Sequence, residues 1–137
     1  MARPPMQKPV PFVYDETRPF WDGTKKHELI IQKCNDCGKY QFYPRTQCSH
    51  CLSENIKWVK ASGKGKLYSY TIAYRGSPVF SANGPYNIAM IEIEEGVRMP
   101  SSIVECKNED LKCDMKVEVV FKDDGPEYAI PYFKPVK

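Results

Sequence analysis

Apolar and polar residues alternate over most of the second half of the chain, with the two-residue period of half-buried strands. Leu67 to Arg75 places Tyr68, Tyr70, Ile72 and Tyr74 on one face. Asn87 to Glu94 groups Ala89, Ile91 and Ile93, and Lys116 to Phe121 groups Val117, Val119 and Phe121. Gly96 turns the chain into a further strand from Arg98 to Glu105, and a last one is expected from Tyr128 to Phe133. Asn108 to Leu111 fits one helical turn between strands. Five short strands with no long helix among them predict a small barrel of the OB type. The tyrosine face is expected to pack that barrel. Residues 76–86 form a long loop between its first two strands. Loops of this length often carry function, and Val79 and Phe80 are its apolar contact points.

The first half reads differently. Pro4, Pro5, Pro9 and Pro11 oppose helix and central strand, so the chain is expected to begin as an extended arm. Thr17 to Gly23 predicts a short helix, with Thr17 as its cap, Pro19 in its first turn and Gly23 at its end. Phe20 and Trp21 could dock this helix on the chain's own core, but the expectation is that the helix, the arm and the outer face of the ribbon together meet another subunit, with Trp21 as the anchor. Strand-like runs follow at Leu29–Ile31, Tyr40–Tyr43 and Ile56–Val59, and Gly63-Lys-Gly-Lys66 marks a junction. The expected layout is mainly β: an arm and short helix over 1–27, a compact unit over 28–62 and the barrel over 63–137.

Cysteine spacing gives the compact unit its chemistry. Cys34-Asn-Asp-Cys37 and Cys48-Ser-His-Cys51 are two C-x2-C pairs with ten residues between them. Each two-residue gap lets both sulfurs of a tight turn face one centre, and two such turns supply a tetrahedral thiolate set suited to Zn²⁺. Gly38 follows the first pair where a positive φ is needed. Iron in a rubredoxin-like site would use the same four ligands. A closed four-thiolate site has no open position, so the metal is expected to be structural. Metal binding in comparable peptides contributes roughly 10–16 kcal/mol to folding.

Composition narrows the function classes. The 137 residues carry 20 basic and 17 acidic side chains, a net charge of +3, which is too balanced to announce a polyanion partner. No apolar run approaches the roughly 20 residues of a membrane span, and the proline-rich start lacks the apolar core of a secretory signal. A cytoplasmic location, with reduced cysteines, is the expectation. His50 reads as a solvated turn residue, and His27 is isolated. Cys106 and Cys113 lack paired spacing, and a Cys–His nucleophile built on either has no local signature. There is no phosphate loop, dinucleotide fingerprint or nucleophile elbow. Tyrosines interleaved with Lys64, Lys66 and Arg75 keep a second class open, an OB-fold module binding single-stranded nucleic acid.

The ordered series of motifs is more specific than any one of them. Phe20-Trp21, Gly23, Cys34-Asn-Asp-Cys-Gly38, Tyr43-Pro-Arg45, the second cysteine pair, Gly63-Lys-Gly-Lys66 and Leu111–Phe121 resemble one layout. It is that of the acyl-CoA-associated OB-fold proteins with an N-terminal rubredoxin-like zinc ribbon, long catalogued as a domain of unknown function. The resemblance covers about Thr17 to the C-terminus. Cys113 stands where the family pattern often has glycine. The resemblance implies structural zinc on Cys34, Cys37, Cys48 and Cys51, and no catalytic residues in this chain. It also implies a hetero-oligomer with a thiolase-fold catalytic subunit, such as those of thiolases, of archaeal hydroxymethylglutaryl-CoA synthesis, of steroid side-chain aldolases and hydratases, or of benzoylsuccinyl-CoA cleavage. The CoA thioester would be bound mainly by that partner, near the interface. Lys39, Arg45 and Lys64 are candidate neighbours of its phosphates, though ordinary surface cations look the same.

Overall fold

A computed structural model describes residues 11–76, 78–81, 84–123, 125 and 128–136. The arm, which runs to about Tyr14, therefore lies outside the described residues up to position 10, with Pro11 the one of its four prolines that is described. Helix α1 (Arg18–Lys25) leads into a three-stranded antiparallel sheet of order β2-β1-β3, built from β1 (Ile30–Cys34), β2 (Tyr40–Gln41) and β3 (Ile56–Lys60). A second sheet follows, of order β6-β5-β4-β7-β8. Its strands are β4 (Lys64–Ala73), β5 (Tyr86–Ile93), β6 (Arg98–Ser101), β7 (Lys116–Asp123) and β8 (Ala129–Pro135). The expected loop 76–86 includes one short helical turn, α2 (Pro78–Ser81), and a 3-10 turn spans Asn108–Asp110.

The five-stranded sheet closes on itself. Beyond β6, Ile103 forms a parallel bridge with Phe133 of β8, and Phe133 exchanges backbone hydrogen bonds with Ser102 and Val104. Strand pairing thus runs β4-β5-β6-β8-β7-β4, the circuit of an OB barrel, as expected. Asn87 holds this seam. Its buried side chain accepts from the Ile103 N–H at 2.7 Å and donates to the Ile103 carbonyl at 2.9 Å, as a neighbouring strand would. Inward positions of the ladder (Leu67, Ala89, Ile91, Ile93, Met99, Val117 and Phe133) are all buried.

Helix α1 joins the two sheets. Phe20 is buried and lies 5.5 Å, ring to ring, from Phe42 on the ribbon side, while Trp21 meets Tyr128 beside β8 edge-on at 6.2 Å. The buried Thr24 hydroxyl donates to the Trp21 carbonyl and accepts from the Ala129 N–H of β8 at 3.1 Å. The expectation that Phe20 and Trp21 anchor the helix on another subunit is therefore corrected: both rings are buried in the chain's own core.

Four local expectations change. Gly23 does not end α1: it lies inside the helix, where a Cβ would sit 2.4 Å from Ile30 Cγ1, so its smallness admits β1. The helix ends at Lys25, and two residues on the chain turns away at His27, whose φ of 59° is left-handed. Thr17 makes no side-chain cap to α1. Its hydroxyl instead closes a turn by bonding both the N–H and the carbonyl of Tyr14 at 3.1 Å. The tyrosines do not fill the barrel. A bulge between Leu67 and Ser69 interrupts the alternation: Tyr68 falls within it, Tyr70 comes opposite the buried Ala89, and Tyr68, Tyr70 and Tyr74 are exposed by 42%, 37% and 75%. Cys113 needs no glycine, because the positive φ of that turn falls on its neighbour Asp114.

Trp21→Ala is expected to destabilise the isolated chain by about 3–5 kcal/mol, the range for a buried aromatic replaced by alanine. Denaturant unfolding followed by circular dichroism measures it, and an unchanged midpoint would contradict the core role.

Candidate metal centre

The two cysteine pairs sit on two turns of the same construction. In the first, the Gly38 N–H bonds the Cys34 carbonyl at 3.0 Å and the Cys34 N–H bonds the Lys39 carbonyl at 2.9 Å. In the second, Leu52 N–H bonds the Cys48 carbonyl at 2.9 Å and Cys48 N–H bonds the Ser53 carbonyl at 2.8 Å. The residue after each pair is left-handed, Gly38 at φ 75° and Leu52 at φ 65°. Glycine takes this conformation freely, whereas a leucine there is strained. Sequence reasoning anticipated the first turn and missed the second, because Leu52 carries no turn signal of its own.

These turns bring four sulfurs together. All four Sγ atoms of Cys34, Cys37, Cys48 and Cys51 lie within 4.8 Å of one another. The contacts Cys34–Cys51 and Cys37–Cys48 are both 3.6 Å. A tetrahedron with Zn–S bonds of about 2.3 Å has sulfurs about 3.8 Å apart, so the set fits a four-thiolate zinc ion. The same separation is far beyond the S–S bond of about 2.05 Å in a disulfide. Cys34 and Cys48 are buried while Cys37 and Cys51 are exposed, so the centre has an inner and an outer edge.

Backbone N–H groups prepare the inner edge for a cation. The N–H of Cys51 first, then that of His50, draw the Cys48 thiol down to about 6 against the opposing effect of burial. The N–H of Cys37 lowers Cys34 in the same way. At Cys51 the N–H of Ser53 also lowers the thiol, but burial and the neighbouring thiols outweigh it and push it up to about 12. Each lowered thiol thus faces a raised one across a 3.6 Å contact. Zn²⁺ would take the place of the shared protons and hold the two turns together.

A pair of buried glutamines supports the second turn. Gln32 and Gln41 face each other across β1 and β2, joined by a Gln41 Nε2 to Gln32 Oε1 bond of 2.6 Å. Gln32 accepts from the Arg45 N–H and donates to the Arg45 carbonyl, both at 2.8 Å. Gln41 Oε1 accepts from the Ser49 N–H at 2.8 Å, beside Cys48. Every polar atom so engaged fixes the loop that delivers Cys48. Two glutamines directly opposite on paired strands would have been a signal, had the register been known.

The other candidates remain apart from the centre. His50 is exposed, as expected for a turn residue. His27 bonds Asp123 at 3.0 Å and stacks on Phe121. Cys106 is half-buried, its thiol donates to the Lys107 carbonyl, and burial followed by the Asp110 charge raises its pKa. Cys113 is exposed. Arg45 lines a depression beside the second cysteine turn, whereas Lys64 lines one on the barrel, and Lys39 lines neither. Among the described residues, no helix is long and apolar enough to cross a membrane.

A four-cysteine ribbon packed on an OB barrel defines a recognisable class, and comparison with known proteins agrees. The model of the ChsH2 rubredoxin-like zinc ribbon domain matches residues 21–56, and that of the ChsH2 C-terminal OB-fold domain matches residues 58–122. A DUF35 domain-containing scaffold protein of Methanocaldococcus jannaschii is 39% identical over 82% of this chain and 85% of its own length. The benzoylsuccinyl-CoA thiolase subunit BbsA of Geobacter metallireducens is 30% identical over 64% of this chain and 57% of its own length. Among solved structures, an Ltp2-ChsH2(DUF35) aldolase chain superposes with a TM-score of 0.82 at 29% identity, covering 92% of this chain and 98% of that one. The chain belongs to the DUF35 family of ChsH2-type proteins, which join a zinc ribbon to an OB-fold domain and are linked to acyl-CoA enzymes.

Elemental analysis of the purified protein is expected to give one zinc per chain. Cys34→Ala should abolish retention and cost far more stability than Cys106→Ala, since only the former opens the site. Protons compete with the metal for the same sulfurs, so affinity falls as pH falls. Zinc transfer to a chromogenic chelator should therefore increase as the pH is lowered, and more steeply below about 6, where Cys48 also takes up a proton.

Gln41→Ala is expected to weaken zinc retention by about 10–100-fold while leaving all four thiols in place, as loss of a supporting hydrogen-bond partner does. Chelator competition measures the change.

Proposed function

We propose that the chain is a non-catalytic, zinc-bearing accessory subunit of a thiolase-like enzyme acting on acyl-CoA thioesters. It binds zinc through Cys34, Cys37, Cys48 and Cys51, and its barrel and ribbon shape the partner's substrate or CoA site and hold the assembly together. The reading is carried by one observation: the paired ribbon and barrel align over most of the chain with a scaffold protein and with a chain of an Ltp2-ChsH2 aldolase. A thiolase reaction needs a nucleophilic cysteine served by a histidine-based network. Here His27 is engaged by Asp123, and the raised Cys106 thiol gives its hydrogen to a backbone carbonyl. Those features favour a supporting role and a partner that carries the chemistry and most of the CoA contacts.

The end of the arm and the outer side of the ribbon form the proposed contact with that subunit. Phe12 and Tyr14 stack with rings 4.8 Å apart and are exposed by 73% and 55%. Leu52, exposed by 71%, keeps its strained conformation without a packing return inside the chain. Tyr43, Leu52 and Glu16 line one depression there. Backbone strain of this kind persists where a contact or function uses it.

An oligonucleotide-binding reading draws on the exposed tyrosines beside Lys66 and Arg98. Two of those rings are already committed. The Arg98 guanidinium lies 3.8 Å over the Tyr68 ring, where a base would stack, and the Tyr70 hydroxyl donates to the Leu111 carbonyl.

The isolated chain should neither cleave nor condense acyl-CoA substrates, and activity should appear only when the thiolase-type subunit is added. Thioester turnover by the chain alone, free of contaminating thiolase, would overturn the reading. Oligonucleotide binding that weakens steeply with salt would favour the alternative.

A further inference from the structure

The four sulfurs of the ribbon differ in access and in company. Cys34 and Cys48, the first cysteine of each turn, are buried, whereas Cys37 and Cys51, the last of each, are exposed. Each exposed sulfur touches the buried sulfur of the other turn: Cys51 meets Cys34 and Cys37 meets Cys48, both at 3.6 Å. The buried member of each contact is also held by its own turn. Cys34 Sγ accepts from the Cys37 N–H at 3.5 Å, and Cys48 Sγ accepts from the His50 N–H at 3.3 Å. In the free chain the outer sulfurs are thus the ones a solute reaches, and the inner ones stand fixed against them.

Four cysteines can pair in three ways. Pairing within each turn would join Cys34 to Cys37 and Cys48 to Cys51, and would leave the two turns untied. Pairing by access would join outer to outer and inner to inner. The 3.6 Å contacts favour the third way, Cys34 with Cys51 and Cys37 with Cys48, in which both bonds cross from one turn to the other. A metal-bound cysteine keeps its thiolate character, and exposure then decides which thiolate an oxidant meets first. A disulfide bond is about 2.05 Å long, so closing either contact asks for about 1.5 Å of movement.

Building on the reading that these four cysteines hold zinc, we propose that the centre is a redox clasp: Cys37 and Cys51 receive hydrogen peroxide, and Cys34 and Cys48 resolve it across the two turns. The Cys51 thiolate attacks one peroxide oxygen and the O–O bond breaks. The sulfur becomes a sulfenic acid, and the departing hydroxide takes a proton from solvent to become water. The Cys34 thiolate then attacks the Cys51 sulfur, forming the S–S bond and expelling the second hydroxide, which also leaves as water. Two thiolates are oxidised to one disulfide, while one peroxide and two protons become two waters. Cys37 and Cys48 repeat the step with a second peroxide, and the chain gives up its metal. Two covalent ties then join the same turns that the metal joined, so the ribbon stays closed. A dithiol reductant and fresh zinc return it to the starting state.

The test treats the purified full chain, its zinc content measured first, with hydrogen peroxide beside a chromogenic zinc chelator. The product is digested without reduction and its disulfides are mapped by mass spectrometry. One zinc should be freed per chain, with Cys34 linked to Cys51 and Cys37 linked to Cys48. The oxidised chain should melt at a higher temperature than the reduced chain stripped of metal, because its turns remain tied. The double variant Cys106→Ser/Cys113→Ser should release zinc at the wild-type rate. Links within a turn, an outer-to-outer link, or zinc retained under peroxide would overturn the clasp and leave the zinc reading standing. So would an oxidised chain that melts no higher than the stripped one, or slower release from the double variant, which would place the entry of oxidant at those two thiols. A freshly purified chain without zinc would overturn both.

Discussion

The burial of one face of α1 between two sheets is the interaction on which the rest of this structure depends. A three-stranded ribbon of short strands cannot enclose a core of its own, and the barrel leaves β8 with an uncovered end. Phe20 covers the ribbon, Trp21 covers the barrel beside Tyr128, and Thr24 ties the helix backbone to Ala129. Buried residues from Phe20 to Phe133 consequently form a single cluster that runs through both parts. The close approach of β1 that completes it requires Gly23, whose missing side chain leaves room for Ile30.

The metal centre answers the other half of the same constraint. Small domains bury too little apolar surface to be stable alone, and a structural metal supplies what the core lacks. The ribbon contributes two similar turns, and the glutamine pair fixes the loop between β2 and the second turn from within the sheet. Sulfur positions are thus set by backbone and amide hydrogen bonds that any bound ion inherits. Stability of the ribbon and of the helix–barrel contact are consequently linked, because α1 touches both.

Much of this architecture was legible in the sequence because it rests on periodicity and spacing. The C-x2-C pairs located the sulfurs, and the alternations around Ile91 and Val117 located barrel strands with the correct inward residues. What was not legible depends on contacts between distant segments. Gly23 looked like a helix stop because a terminal glycine and a close-packed glycine are identical letters, and only the arrival of Ile30 separates them. The tyrosines looked like one core face because they alternate without a break in the sequence, whereas a bulge at Leu67–Ser69 separates Tyr68 from Tyr70, which no local pattern announces. The Gln32–Gln41 pair and the role of Asn87 were hidden for the same reason, since each acts across strands whose register the sequence does not print.

The Asn87 seam carries a consequence of its own. Most of the barrel is sewn by repeating backbone pairs that any sequence could make, whereas the stretch from Ser102 to Ile103 is held to β5 by the Asn87 amide and by the Ser102 hydroxyl, which donates to the Asn87 carbonyl. An aspartate of the same shape would keep the acceptor and lose the donor, and an alanine would lose both. The barrel therefore contains a join whose fidelity is chemical rather than topological: an amide and a hydroxyl of fixed length mark where the third strand stops following its neighbour and crosses to meet the fifth.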